Sequence, residues 1–148
     1  MSEPTAATTV RRAADVAVGD QLPGRTIHVD RERLVQYAGA SLDRNRIHWD
    51  ERFATSVGLP DVIAHGMFTM GSAVTVVSDW AGDAGRVVEY GARFTNMVVV
   101  PYEGGADIEV SGVVKAVDPE TKRVTVELTA TAAGQKALGR ALAVVRLD

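Results

Sequence analysis

The sequence predicts an α+β fold in which a curved antiparallel sheet curls round one long central helix. Three observations lead there. Residues 30–80 carry helix-like apolar patterns, whereas 86–147 alternate like strands. One predicted helix, Ala64–Trp80, is apolar round most of its circumference, as a helix wrapped by other structure must be. The alternating segments are separated by short turns, as in antiparallel sheets with one buried face.

The elements follow in chain order. MSEPTAATTV at the start is small and polar with no continuous apolar run, so it reads as no signal peptide. It belongs to an expected flexible tail over 1–14, which leaves a single domain over 15–148. Asp30 can cap a helix over Arg31–Ala40, with Leu34, Val35, Tyr37 and Ala38 as its apolar stripe. Ser41–Trp49 has no consistent period and reads as loop. Asp50–Val57 reads as a short helix stopped by Gly58, with Pro60 behind it. Ala64–Trp80 spans about 25 Å at the helical rise per residue.

After a turn at Gly82–Gly85, strands are predicted at 86–97, 106–117, 122–132 and 136–147. Ile108, Val110 and Gly112 alternate with Asp107, Glu109 and Ser111; Val124, Val126 and Leu128 alternate with Thr125, Glu127 and Thr129. Asp118-Pro119-Glu120-Thr121 and Ala133-Gly134-Gln135 supply turn chemistry between them.

Composition narrows the function classes. With 148 residues, 46% of them hydrophobic and 24% charged, the chain suits one globular domain and no disordered or collagen-like class. Its 16 basic residues against 19 acidic, with no Lys/Arg run longer than two, leave no footprint for nucleic acid. Ala64–Trp80 contains His65, Thr69, Ser72, Thr75, Ser78 and Asp79 and so fails as a membrane span. There is no cysteine, which removes disulfides, thiolate metal sites, iron–sulfur clusters and Cys nucleophiles. That composition suits a reducing compartment, and a cytoplasmic location is expected.

With only three histidines, His28, His48 and His65, any histidine chemistry has few places to be. Asp43 and His48 lie in the aperiodic loop, where a curled backbone can bring an acid/base pair onto one reacting atom. The same pair also reads as ordinary polar surface. Ala64-His65-Gly66-Met67 opens the long helix, whose first-turn N–H groups have no intrahelical partners and can face an oxyanion or enolate. A His-Gly there also does no more than shape the start of a helix. Asp43, His48 and Asp50 match no metal-ligand pattern, and no GxGxxG, Walker A or His-Glu-x-x-His motif occurs.

Taken in order, Asp43-Arg44-Asn45-Arg46-Ile47-His48 and Ala64-His65-Gly66-Met67 resemble the MaoC-like hydratase/dehydratase branch of the hot-dog-fold superfamily. Val18-Gly19-Asp20 and Glu89-Tyr90-Gly91-Ala92-Arg93-Phe94-Thr95, with Pro101 behind, are similar to it as well. Within that branch, Ile47-His48-Trp49-Asp50, Thr69-Met70-Gly71 and Val117-Asp118-Pro119-Glu120 are similar to catalytic subunits of type II (3R)-hydroxyacyl-ACP dehydratases.

The resemblance implies a single hot-dog fold and reversible addition of water to a trans-2-enoyl thioester, in fatty-acid elongation of the mycolic-acid type. It assigns catalysis to Asp43 and His48, the thioester carbonyl to the Gly66 N–H, and loop support to Asn45 and His65. It implies no metal and no cofactor, an acyl-ACP or acyl-CoA substrate, and a homodimer or a heterodimer with another hot-dog subunit. A CoA-specific (R)-enoyl hydratase and a non-catalytic acyl-binding partner are the alternatives. Two residues depart from the pattern: Leu42 stands where Gly is usual, and Arg46 where Pro is usual. An inward Arg46 would favour the charged form of Asp43 and disfavour protonated His48; an outward, solvated Arg46 is expected.

Overall fold

Five antiparallel strands build the sheet, one more than alternation predicts. The computed structural model describes residues 11–148. In chain order it holds β1 (Gln21–Val29), α1 (Arg31–Ser41), α2 (Glu51–Ser56), α3 (Gly66–Ala81), β2 (Val87–Phe94), β3 (Ala106–Asp118), β4 (Arg123–Ala132) and β5 (Gln135–Arg146). The sheet runs β1-β3-β4-β5-β2, with every neighbouring pair antiparallel. The predicted α+β class is the observed one.

The central strands are those that alternate best. Val124, Val126, Leu128 and Ala130 of β4 turn inward between Ile108, Val110 and Val114 of β3 and Ala141, Ala143 and Val145 of β5. The β3–β4 turn is held by Asp118, whose carboxylate accepts from the Glu120 and Thr121 N–H groups and from the Thr121 hydroxyl. The β4–β5 hairpin closes on Ala133 and Gly134, both at positive φ.

β1 was absent from the expectation for a physical reason. It is an edge strand, buried only at Leu22 and Val29, and its register shifts between Leu22 and Arg25, where Pro23 and Gly24 lie. Pairing to β3, not periodicity, makes it a strand. Of the expected tail over 1–14, residues 1–10 lie outside the described residues. Within 11–14, Arg11 lies over the Trp80 ring and buried Ala13 donates its N–H to the Asp148 carbonyl, while Arg12 and Ala14 are exposed.

Asp30 caps α1 as predicted, accepting the Arg33 N–H at 2.8 Å. Leu34 and Ala38 of its stripe are buried, but Val35 faces out. The predicted helix from Ala64 starts two residues later. Ala64 is tied to Val98 and Val62 to Val100, so 62–64 is extended and bridges the segment after β2. That same departure ends β2 at Phe94, short of the predicted 97.

α3 packs Phe68, Ala73, Val76, Val77 and Ala81 on the sheet. It is not wrapped all round: Met67 is 59% exposed, and Gly71 and Asp79 also face outward. Among the described residues no helix is long and apolar enough to cross a membrane.

Candidate active site

The loop after α1 is a chain of side-chain-to-backbone bonds that delivers His48 to the interior. Ser41 donates its hydroxyl to the Tyr37 carbonyl at 2.7 Å and accepts the Asp43 N–H at 3.2 Å. Leu42 takes the left-handed conformation at φ +63°, with its side chain 71% exposed. Asp43 accepts the Asn45 N–H at 3.3 Å, and Asn45 accepts the Ile47 N–H at 3.2 Å. That starts a single 3-10 turn over Arg46–His48 within the predicted loop, and the turn aims His48 inward.

Both departures from the family pattern are visible. Leu42 adopts a φ that glycine would take without strain. Arg46 points outward as expected, on Asp50 at 2.7 and 3.0 Å and over the Phe53 ring at 4.5 Å. The Arg46 hydrogen bond holds the Asp50 carboxyl below the usual range, while the other Asp50 oxygen caps α2 through the Phe53 N–H.

The start of α3 meets this loop from the other side. His48 Nδ1 lies 2.7 Å from the Ile63 carbonyl. A carbonyl only accepts, so Nδ1 carries the proton and Nε2 presents a lone pair. Nε2 lies 3.9 Å from Asp43 Oδ2, too far for a direct hydrogen bond. A water about 2.8 Å from each atom would close that triangle. Burial pushes the His48 imidazole below its ordinary value of 6.5; the Ile63 bond opposes this, His65 adds to it, and Asp43 opposes it.

The structure thus brings Asp43, His48, His65 and Gly66 together, with Asn45 shaping the turn between them. His28 lies apart, on Asp107 at 2.7 Å. A cavity of about 280 Å³ opens beside the pair, lined by His48, Gly66, Thr69, Phe94, Met97 and Leu138 among others. Gly66 is the first residue of α3, and His65 before it makes no side-chain cap bond. The first-turn N–H groups therefore end at the cavity without a capping side chain.

Three participants had no assignment from sequence. Phe94 lies 3.0 Å from the position a Cβ on residue 66 would take, so any side chain there would make the ring give by a few tenths of an ångström; glycine fits by close approach and not by φ. Its stretch, Glu89–Thr95, carried the family likeness without a role for the ring. The Ile63 carbonyl and the cavity wall at Leu138 have no sequence signal, because a backbone acceptor and a tertiary contact leave no pattern.

Asp43, His48 and His65 offer ligand atoms within 4.8 Å of one another. The two imidazoles are stacked at 3.7 Å and 22°, however, so their lone pairs lie in near-parallel planes. A metal bound at about 2.0–2.1 Å would need one ring to turn and break its carbonyl bond. The arrangement suits proton transfer better than metal ligation.

Comparison with known proteins identifies the family. The family model described as a MaoC like domain matches residues 12–133. The chain belongs to the MaoC-like family. A solved MaoC-like dehydratase superposes with a TM-score of 0.91 at 45% identity, covering 94% of this chain and 43% of that one. The 3-hydroxyacyl-thioester dehydratase X of Mycobacterium tuberculosis is 32% identical over 83 residues, 56% of this MaoC-like chain and 29% of the relative. The (R)-hydratase of A. caviae involved in PHA biosynthesis has a TM-score of 0.80 at 21% identity, covering 90% of this chain and 98% of that one; it speaks for the hot-dog fold. This MaoC-like chain spans less than half the length of the first two.

Proposed function

We propose that the chain is a (3R)-3-hydroxyacyl-thioester dehydratase that also hydrates trans-2-enoyl thioesters. The observation that carries this reading is the Asp43–His48 pair, 3.9 Å apart, beside an uncapped helix start on an apolar cavity. Asp43 and His48 are the catalytic residues, the Gly66 N–H receives the thioester carbonyl, and Asn45 and His65 support the loop.

In hydration, water sits between Asp43 Oδ2 and His48 Nε2. Its oxygen adds to C3 while Nε2 takes a proton. Electrons move through C2–C1 onto the carbonyl oxygen, and the resulting enolate grows against the N-terminal turn of α3. The proton on Nε2 then passes to C2. Asp43 orients the water and stabilises the transient imidazolium. Dehydration is the reverse: Nε2 takes the C2 proton and returns it to the departing 3-hydroxyl. The balance closes without a further reactant, and a neutral His48 is the form that begins it.

The finer reading is an acyl-ACP substrate in type II fatty-acid elongation, in the cytoplasm, with a second hot-dog subunit completing a dimer. The sequence likeness to HadB, a catalytic subunit of that class, supports it. So do dehydratase X and the fatty acid synthase subunit beta of Saccharomyces cerevisiae, 40% identical over 65 residues, 43% of this chain and 3% of the relative. A CoA-specific (R)-enoyl hydratase acting as a homodimer is the second reading; the solved (R)-hydratases share the fold.

Incubation with trans-2-enoyl thioesters of ACP and of CoA tests both. The expected product is the (3R)-3-hydroxyacyl thioester, formed faster from the ACP substrate. Faster turnover of the CoA substrate moves the assignment to the second reading. Binding of both without turnover overturns the enzymatic reading.

A further inference from the structure

His65 is 2% exposed and uses its two nitrogens unequally. Nε2 lies 3.0 Å from the Asp43 carbonyl oxygen, so this nitrogen carries the proton. Nδ1 is then a bare lone pair, buried with no hydrogen-bond partner. Leaving such a group unpaired is costly. A phenylalanine would fill a similar volume against Tyr37, whose ring centroid lies 4.8 Å away, with no unpaired atom. The chain thus keeps a histidine where an apolar ring would leave no unpaired ring atom but would also leave the Asp43 carbonyl without this donor.

What the histidine supplies, and the apolar ring would not, is the bond to Asp43. The Asp43 backbone is also held by Ser41 at the end of α1, and its carboxylate by the Asn45 N–H within the loop, and neither reaches α3. His65 alone of the three ties that loop to α3. Its face lies on the His48 ring at 3.7 Å, so one side chain touches both members of the pair. The groups facing His48 are Asp43 from the loop, the Ile63 carbonyl from the extended segment and His65 from the start of α3. Arg46 is turned away onto Asp50.

We propose that His65 is a positioning residue: its Nε2–H fixes Asp43 against α3 and its ring face fixes the plane of His48, setting the gap that water occupies. The effect on turnover rests on the function proposed above; the geometry does not. The resulting trade is specific. Stability is given up at the unpaired Nδ1, and alignment is gained at Asp43.

The test compares His65→Phe and His65→Gln in the full chain by kinetics, thermal midpoint and the ring ¹⁵N resonances of His48. Phe keeps the stacking face and loses the donor; Gln restores an Nε2–H at similar reach. In His65→Phe, kcat on a trans-2-butenoyl thioester is expected to fall about 10- to 100-fold with KM within about threefold. The thermal midpoint should stay level or rise, and His65→Gln should recover at least half of the logarithmic loss in kcat.

A His65→Phe enzyme with wild-type kcat overturns the proposal. So does a lowered midpoint with unchanged kcat per folded molecule. If Phe lowers both, recovery of kcat in Gln without recovery of the midpoint supports it, and parallel recovery overturns it. Should the wild type hydrate no enoyl thioester, the function falls, and the His48 resonances decide alone. Shifted by Phe and returned by Gln, they support positioning; unmoved, they overturn it.

Discussion

The two ends of α3 are finished by opposite rules. At the C-terminus, Gly82 turns left-handed at φ +82° and returns its N–H to the Asp79 carbonyl at 3.2 Å. Arg11 donates to the Trp80 carbonyl at 3.1 Å and lies over the Trp80 ring. Protein groups thus satisfy carbonyls of the last turn. At the N-terminus His65 offers no cap, and the first turn opens on the cavity. The three buried polar residues among those described, His48, His65 and Thr69, all gather at this open end, while the rest of the core is aliphatic, alanine or aromatic. One end is closed by protein groups; in the proposed function the other keeps its donors for a ligand. Stability and activity should therefore respond separately to changes at the two ends.

The largest effect should come from filling the open end. In Gly66→Ala the new methyl meets the Phe94 ring at 3.0 Å, so the ring or the helix start must give by a few tenths of an ångström, and kcat/KM on an enoyl thioester should fall about 10- to 100-fold. Adding Phe94→Ala should return part of that activity if ring contact is the cause. An unchanged loss would place the obstruction elsewhere.

A smaller, graded effect should follow pH. Burial lowers the His48 value from 6.5, and in the proposed mechanism the neutral ring is the reactive form. The acid limb of kcat/KM should accordingly have its midpoint below 6.5, with activity full above it and falling about tenfold per pH unit below. A midpoint above 6.5 would mean that Asp43 outweighs burial at this ring.

The smallest effect belongs to the closed end. Gly82→Ala forces a side chain to φ +82° and should cost about 1–2 kcal/mol in chemical denaturation, with kcat unchanged at the assay temperature. A matching loss of kcat would break the separation between the ends.

How far the sequence carried the reading follows from where each contact is made. β3, β4, β5 and α3 were legible because their burial is periodic, and the cap Asp30 because it bonds within three residues of itself. β1 was not, because a bulged edge strand with two buried side chains has no period. Asp43, His48, His65 and Gly66 were visible as motifs, yet their arrangement depends on two backbone carbonyls, Ile63 and Asp43, that no side-chain pattern encodes. Leu42 shows the limit from the other direction. The absence of glycine there suggests restricted backbone freedom, but the loop takes the left-handed turn regardless, held by Ser41 and Asp43 on either side.

The central claim is that Asp43 and His48 act on one water beside the open end of α3. The most direct measurement is the rate of enoyl-thioester hydration by the wild type, Asp43→Asn and His48→Ala, each at matched folded concentration. Both variants should lose about 100-fold or more in kcat. Near-wild-type turnover in both folded variants would contradict the account.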